Sequence, residues 1–190
     1  MCNQYGLSLR NFLFVGRFSP EKNIICLLEA FRKLRAHGSD WGLILVGNGP
    51  QKEEIEKYMN EHDIKNVYLS GFRQKQEIVN FYAVSDVFVL PSTYEPWGLV
   101  VNEAMASGLP VLVSKKCGCY PDLIKEGING FSFDPYDTNQ LSVLMGKMAK
   151  GNYDLEKMGQ AAIDTISDYT PERAARVIKE TIENLLQEQS

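Results

Sequence analysis

The sequence predicts an α/β fold, with a Rossmann-like parallel sheet of about six strands and helices on both faces. Short apolar runs alternate with longer segments of helical periodicity along most of the 190 residues. The apolar runs are nearly continuous, which is typical of strands that are buried on both faces of a parallel sheet. Because the chain is 44% hydrophobic, it can bury one substantial core, and we expect a single domain.

Six segments fit the strands of this sheet. Each is an apolar run that stops at a glycine, a proline or a polar residue. In chain order they are Asn11–Val15, Trp41–Val46, Val67–Leu69, Val87–Leu90, Val111–Val113 and Phe131–Phe133. Since helical segments separate them, we expect the strands to run parallel and to be joined by right-handed crossovers.

Helical spacing of apolar residues fills the segments between the strands. The first helical pattern runs from Lys22 to His37, and Ser19 followed by Pro20 marks its start. Further helices are expected after Pro50, around residues 78–82 and from near Gly98, and the chain from Thr138 onward predicts three more. No repeat, low-complexity tract or interdomain linker interrupts this order.

Charge and cysteine usage exclude several classes of protein. The net charge is −4 and no cluster of lysine or arginine stands out, which argues against a nucleic-acid partner. The four cysteines, Cys2, Cys26, Cys117 and Cys119, fit neither a zinc site nor a disulfide framework, so we expect free thiols and no metal. No leader pattern and no apolar run of ~18 residues is present, and we expect a cytoplasmic protein.

The first of four loops that follow predicted strands contains two cations. Gly16 lets backbone approach a ligand, and Arg17 and Lys22 follow it closely. Loops of this kind meet at the carboxyl edge of an open parallel sheet, so both cations are candidates to bind a diphosphate. A lysine near a helix start also opposes the helix dipole unless an anion lies there. The alternatives are a structural ion pair for Arg17 and a solvated Lys22.

The second and third loops are less specific. Residues 47–50 read Gly-Asn-Gly-Pro and resemble the start of a dinucleotide fingerprint, but Lys52 stands where its third glycine belongs. A plain strand-to-helix turn is the better interpretation. After Gly71, Phe72 and Arg73 offer backbone and an aromatic edge to a nucleobase, although the alternative is a turn with a phenylalanine in the core.

The fourth loop combines several binding groups within a dozen residues. Ser92 and Glu95 follow a strand, a bare helix N-terminus opens near Gly98, and Glu103 lies one to two turns into that helix. Free backbone amides hold an anion, and carboxylates accept hydrogen bonds from hydroxyls. This layout suits a sugar nucleotide, whose diphosphate separates two groups rich in hydroxyls. The alternative for Glu103 is an ordinary exposed helix glutamate.

The two glutamates resemble the E-x7-E signature of retaining glycosyltransferases of the GT-B fold, particularly the GT4 group. Further motifs in the family's order are Val15-Gly16-Arg17, Lys22-Asn23, Val46 to Pro50, Gly71-Phe72, Ser85 to Ser92, Gly108 to Val111 and Asn129-Gly130. The resemblance covers roughly residues 11–150. Two departures occur, since Gly118-Cys119 and Pro121-Asp122 stand where the family usually has Gly-Gly and Pro-Glu.

The resemblance implies a role for each candidate residue. Arg17 and Lys22 would bind and electrostatically stabilise the donor diphosphate, and Glu95 would contact the transferred sugar, with no metal or other cofactor required. Glu103 would hold the ribose hydroxyls. The remaining donor-binding residues would be Gly16, Ser92, Trp97, Gly98 and Leu99, with the backbone of Phe72 and Arg73 near the base.

The resemblance is confined to the donor-binding, C-terminal half of a GT-B enzyme. We therefore expect one nucleotide-sugar-binding domain over residues 1–190, with a core at 11–150 and C-terminal helices at 151–190. Its glycan or lipid-linked acceptor would bind to an N-terminal domain that is absent here or to a partner chain, and the full enzyme would be cytoplasmic or peripheral to the membrane. The alternatives are a non-catalytic donor-binding subunit or sensor and, less favoured, a dinucleotide-dependent oxidoreductase.

The last predicted helix carries an apolar stripe. Between Pro171 and Glu188 it consists of Ala174, Val177, Ile178, Ile182, Leu185 and Leu186. The stripe either packs on its own domain or mediates self-association.

Overall fold

The computed structural model describes residues 7–187, and Cys2 and Glu188 lie outside this range. Its sheet has six parallel strands in the order β3-β2-β1-β4-β5-β6, which confirms the predicted fold class. The strands are β1 (Asn11–Val15), β2 (Gly42–Val46), β3 (Val67–Gly71), β4 (Val87–Leu90), β5 (Val111–Ser114) and β6 (Gly130–Phe133). Each predicted strand is present, and the bounds differ by no more than two residues.

Eight helices lie among the described residues. They are α1 (Ile24–Ala36), α2 (Lys52–Glu61), α3 (Lys75–Ala83), α4 (Leu99–Ala106), α5 (Tyr120–Leu123), α6 (Thr138–Ala149), α7 (Leu155–Ile166) and α8 (Pro171–Gln187). The single turn α5 is the one helix that no periodicity predicts, because four residues are too few to show a period. The three helices after residue 138 are confirmed.

The helices cover both faces of the sheet. From β1 the chain moves outward to β2 and β3, then returns to place β4 beside β1 and continues to β5 and β6. Since crossovers between parallel strands are right-handed, this reversal places α1 and α2 on one face and α3, α4 and α5 on the other. α6 packs against α1, and α7 packs against α4.

Burial of the strands explains their apolar sequences. Every residue of β1, β2, β4 and β5 is buried, as the nearly continuous apolar runs predict. The edge strand β3 is half-buried along its whole length. The loops of interest therefore begin at the carboxyl ends of two fully buried strands, β1 and β4.

The first helix begins later than the sequence predicts. Pro20–Lys22 form a separate 3-10 turn, and Asn23 then adopts a left-handed conformation with φ of 55° before α1 starts. The side-chain amide of Asn23 donates hydrogen bonds to the carbonyls of Pro91 (3.1 Å) and Pro135 (2.8 Å). Lys22 therefore directly precedes the N-cap of α1 and does not lie within the helix.

The last helix leaves its apolar stripe on the surface. Val177, Ile178, Ile182, Leu185 and Leu186 are each at least 50% exposed, so the stripe is not buried against its own domain. The side chain of Ala174 is outside the described part of the chain. Self-association through α8 stays a prediction. None of the helices in residues 7–187 is long and apolar enough to cross a membrane.

Candidate functional site

The strand order creates a crevice between β1 and β4. The connections after these strands leave in opposite directions, and in open α/β sheets ligands bind at such a switch point. Here residues 16–23 follow β1 and residues 91–98 follow β4. The two loops are joined by a hydrogen bond from the backbone of Thr93 to the carbonyl of Glu21 (2.8 Å). We call these loops and the first turn of α4 the switch-point crevice.

Lys22 and Glu95 contact each other directly across the crevice. The ammonium of Lys22 forms an ion pair with Oε2 of Glu95, and the two side chains are only 17% and 14% exposed. Lys22 is therefore not the solvated residue of the alternative interpretation. Opposite charges attract strongly in such a partly enclosed position, which fixes both side chains without a ligand.

Arg17 is a free cation at the rim of the same crevice. Its side chain is exposed, and it forms no ion pair with any carboxylate in the described range. The interpretation of Arg17 as a structural ion-pair partner is therefore wrong. The hydrogen bond from Ser19 and, to a lesser extent, the charges of Lys22 and Arg17 lower the pKa of Glu21 in the same loop, so the guanidinium of Arg17 lies near a carboxylate to which it is not bonded.

The N-terminus of α4 opens into the crevice without a side-chain cap. Gly98 precedes it with φ of 100°, a left-handed conformation that glycine adopts without steric cost, and offers no capping oxygen. The first backbone N–H groups of a helix have no partner within the helix. Leu99, the first helical residue, is 69% exposed, so this turn is accessible to a ligand. In the loop that leads from β4 to this helix, the hydroxyl of Ser92 is fully buried and has no hydrogen-bond partner in the described structure.

The indole N–H of Trp97 is bonded within the protein and is not free to bind a ligand. Its indole N–H donates to Oδ1 of Asn102 (3.0 Å), which lies one turn into α4. The side chain is half-buried. This hydrogen bond fixes the loop of residues 95–98 against the helix, so Trp97 shapes the crevice while its N–H is already used.

The loop after β5 supports residues 95–98 from the other side. Gly118 donates its backbone N–H to the carbonyl of Glu95 (2.9 Å), and a Cβ at this glycine would overlap the carbonyl oxygen of Pro96. Cys119 donates its backbone N–H to the carbonyl of Trp97 (3.1 Å). The departure from the family pattern therefore lies in a supporting loop behind Glu95.

The thiols of this loop are buried and stay protonated, so they are unreactive. Cys117 and Cys119 are buried, and burial raises the pKa of each thiol to about 12. Cys26, also a free thiol, has its pKa raised by burial as well. Protonated thiols bind metals poorly, and residues 7–187 contain no group of three or more potential metal ligands. Independence from metal stays a prediction.

Glu103 lies on α4 with one carboxylate oxygen already bonded. The hydroxyl of Tyr82 on α3 donates to its Oε2 (3.0 Å), whereas Oε1 has no hydrogen-bond partner among the described residues. Glu103 is exposed to solvent, whereas Tyr82 is only 3% exposed. No spacing in the sequence predicts this pair. The available signal was a hydroxyl-bearing ring in a predicted helix, which needs a partner when it is buried.

Phe72 and Arg73 follow β3 at the same edge of the sheet. Phe72 is 69% exposed, so the interpretation of this ring as part of the core is wrong. The guanidinium of Arg73 turns back toward α3, where it lies 5.9 Å from the ring centroid of Phe81 and 3.5 Å from Glu77. The ring of Phe72 is therefore open to a ligand, whereas the guanidinium of Arg73 already contacts α3.

The loop of residues 47–50 is a structural turn, as the sequence predicts. A Cβ at Gly47 would overlap the carbonyl oxygen of Gly16, and one at Gly49 would overlap the backbone of Phe18. The glycines are therefore required for packing beneath the first loop. This position places Gly16 at the base of the crevice.

A separate cavity of about 770 Å³ lies beside α8. Its walls include Asn102, Asp122, Lys125, Asp168 and Arg173, and none of the predicted site residues lines it.

The six-stranded parallel sheet flanked by helices matches the C-terminal domain of GT-B glycosyltransferases. The model of the family "Glycosyl transferases group 1" matches residues 8–165, and the chain belongs to this family. Sulfoquinovosyl transferase SQD2 of Arabidopsis thaliana is 35% identical over 160 residues, which are 83% of this chain and 30% of that protein. The chain spans less than half the length of the curated relatives it matches.

Solved structures show the same fold. HepE of Anabaena in complex with UDP superposes with a TM-score of 0.85 at 24% identity, covering 96% of this chain and 51% of HepE. The C-terminal domain of the group 1 glycosyl transferase LpcC from Francisella tularensis superposes with a TM-score of 0.77 at 22% identity, covering 87% of this chain and 90% of that domain.

Proposed function

We propose that this domain binds the nucleotide-sugar donor of a retaining glycosyltransferase of the GT4 group, which transfers a hexose to a glycan or lipid-linked acceptor. The observation that carries the proposal is the switch-point crevice, where the Lys22–Glu95 ion pair, the free Arg17 and the uncapped N-terminus of α4 converge. The relative HepE was solved with UDP, which is a ligand of this class.

The diphosphate is the group that this crevice recognises best. Arg17 and the first N–H groups of α4 are unpaired donors that suit phosphate oxygens. Lys22 has three donor hydrogens, so it can keep Glu95 and still bind a phosphate oxygen. Charge develops on the departing phosphate during transfer, and these preorganised donors stabilise it without a metal.

The two ends of the donor are assigned to opposite sides of the diphosphate. Glu95, held by Lys22, accepts hydrogen bonds from the hydroxyls of the transferred sugar. Glu103 accepts from the ribose, and the exposed Phe72 with its neighbouring backbone lies against the base. The acceptor is bound by a further domain or partner chain in the cytoplasm, where the free thiols of this domain stay reduced.

The proposal is tested by thermal shift with nucleoside diphosphates and their sugars. A ligand that binds the folded state raises its stability by RT ln(1 + [L]/Kd), so members of the panel with the correct base are expected to raise Tm in a dose-dependent way. If none of the UDP, GDP and ADP compounds shifts Tm, the proposal fails.

Arg17→Ala tests the assignment of the diphosphate. We expect it to weaken binding of the nucleoside diphosphate by about 10- to 100-fold, since a hydrogen bond to a charged group contributes about 1.5–3 kcal/mol. Binding of the bare nucleoside should barely change. Arg10→Ala is the matched control, because Arg10 pairs with Asp86 at the start of β1, the opposite end of the strand from Arg17. Equal losses for both ligands in calorimetry would contradict the role of Arg17.

A further inference from the structure

The hydroxyl of Tyr82 has one short hydrogen bond, and it goes to the carboxylate assigned to the ribose. Its oxygen lies 3.0 Å from Oε2 of Glu103 and 3.5 Å from the carbonyl of Val100. The single hydroxyl proton therefore goes to Glu103. This contact links α3 to α4 across 21 positions of sequence.

Tyr82 is built to remain a donor. Its side chain is buried, with its ring 6.2 Å from that of Phe88 in β4. Burial, and then the negative charge of Glu103, raise the pKa of the Tyr82 phenol, which keeps its proton at every pH of interest. A tyrosine fixed by packing holds its partner in one orientation.

We propose that Tyr82 is a positioning residue that fixes the Glu103 carboxylate for a vicinal diol. Oε2 is held by the protein, and Oε1, which has two lone pairs and no partner among the described residues, accepts from the diol. An unrestrained glutamate on a helix surface would lose side-chain entropy on binding, and the tyrosine removes most of that cost beforehand. This inference rests on the proposed function, since the diol is that of the donor ribose.

The test compares two ligands that differ only in the diol. Calorimetry measures binding of the preferred nucleoside diphosphate and of its 2′,3′-dideoxy counterpart to the wild-type chain and to Tyr82→Phe. The wild type is expected to prefer the ribo ligand. Tyr82→Phe should weaken binding of the ribo ligand by about 3- to 10-fold and leave binding of the dideoxy ligand unchanged, so that the preference shrinks.

Tyr58→Phe is the matched control. The hydroxyl of Tyr58 donates to Oε2 of Glu29 (2.9 Å) on the opposite face of the sheet, so this variant removes the same type of hydrogen bond away from the crevice. It should leave the binding of both ligands unchanged.

Each other outcome has a definite meaning. If Tyr82→Phe weakens both ligands equally, or neither, the inference is overturned while the proposed function stands. If the wild type binds both ligands equally well, no diol is recognised and the inference is also overturned. If the wild type binds no nucleoside diphosphate at all, the proposed function itself fails, and the inference falls with it.

Discussion

Two glutamates in this domain each accept a hydrogen bond from a tyrosine hydroxyl, yet their surroundings differ. Glu29 on α1 is saturated, because the guanidinium of Arg32 contacts both of its oxygens at 2.8 Å and Tyr58 donates to one of them. The hydrogen bond from Arg32 is the main cause that lowers the pKa of Glu29 to about 2. Glu103 on α4 accepts from Tyr82 and pairs with no cation among residues 7–187.

The difference separates a carboxylate that stabilises the fold from one that is available to a ligand. Once Arg32 and Tyr58 have bonded to Glu29, that carboxylate has little capacity left. Glu103 keeps one free oxygen and stands at the edge of a crevice. The same contrast holds for the cations, since Arg32 is paired and Arg17 is not. Free hydrogen-bonding capacity, rather than residue type, therefore distinguishes the candidate site from the scaffold.

The largest expected effect is that Glu29 stops stabilising the folded state in acid, which lowers the free energy of unfolding. Because the folded-state pKa lies below the ordinary value of 4.5, this contribution is fully present above pH 4.5 and is lost as the pH falls through about 2. A shift of this size corresponds to at most about 3 kcal/mol, and solvent screening of the partly exposed Arg32 reduces the expected contribution to about 2 kcal/mol. Urea unfolding measures the free energy of unfolding of the wild type and of Glu29→Gln at several pH values. The difference between the two proteins should shrink as the pH falls from 4.5 to 2. If the difference in the free energy of unfolding does not change with pH, the ionised carboxylate of Glu29 does not stabilise the fold as described.

The next largest effect is expected at Glu103, the carboxylate that is available to a ligand. Glu103→Gln removes the negative charge, while its amide oxygen can still accept from Tyr82. We expect it to weaken binding of the nucleoside diphosphate by about tenfold, or about 1.4 kcal/mol, and to change the free energy of unfolding by less than about 0.5 kcal/mol. Calorimetry and urea unfolding measure the two quantities. Glu29→Gln should show the reverse pattern, and a similar pattern in both variants would remove the distinction.

The smallest effect comes from the tyrosine of the saturated cluster. Tyr58→Phe should lower the free energy of unfolding by at most about 1 kcal/mol, because Arg32 continues to contact both oxygens of Glu29. Chemical denaturation of this variant at neutral pH measures the loss. A decrease of several kcal/mol would mean that the phenol, and not the guanidinium, dominates the cluster.

The sequence predicts the sheet well because its signal is local. Continuous apolar runs follow from burial on both faces, and the edge at which the loops meet follows from parallel strands. The carbonyls that bond the Asn23 side chain come from Pro91 and Pro135, so the delayed start of α1 could not be predicted from its own neighbours.

The sequence around each residue also does not predict which side chains pair in the crevice. The loop positions of Lys22 and Glu95 indicate that they are near each other, but their direct ion pair depends on how two loops 73 positions apart approach. The partnership of Tyr82 with Glu103 depends in the same way on the packing of α3 beside α4. Candidate residues can thus be predicted from sequence, whereas their free bonding capacity requires the structure.

The loop after β5 sets different limits on sequence divergence at two adjacent positions. No side chain fits at Gly118 unless Pro96 moves, and Pro96 is joined directly to Glu95. At position 119 a buried cysteine is accommodated where the family usually has a second glycine. A small buried side chain is therefore accommodated at position 119, whereas any side chain at position 118 would displace the glutamate that pairs with Lys22.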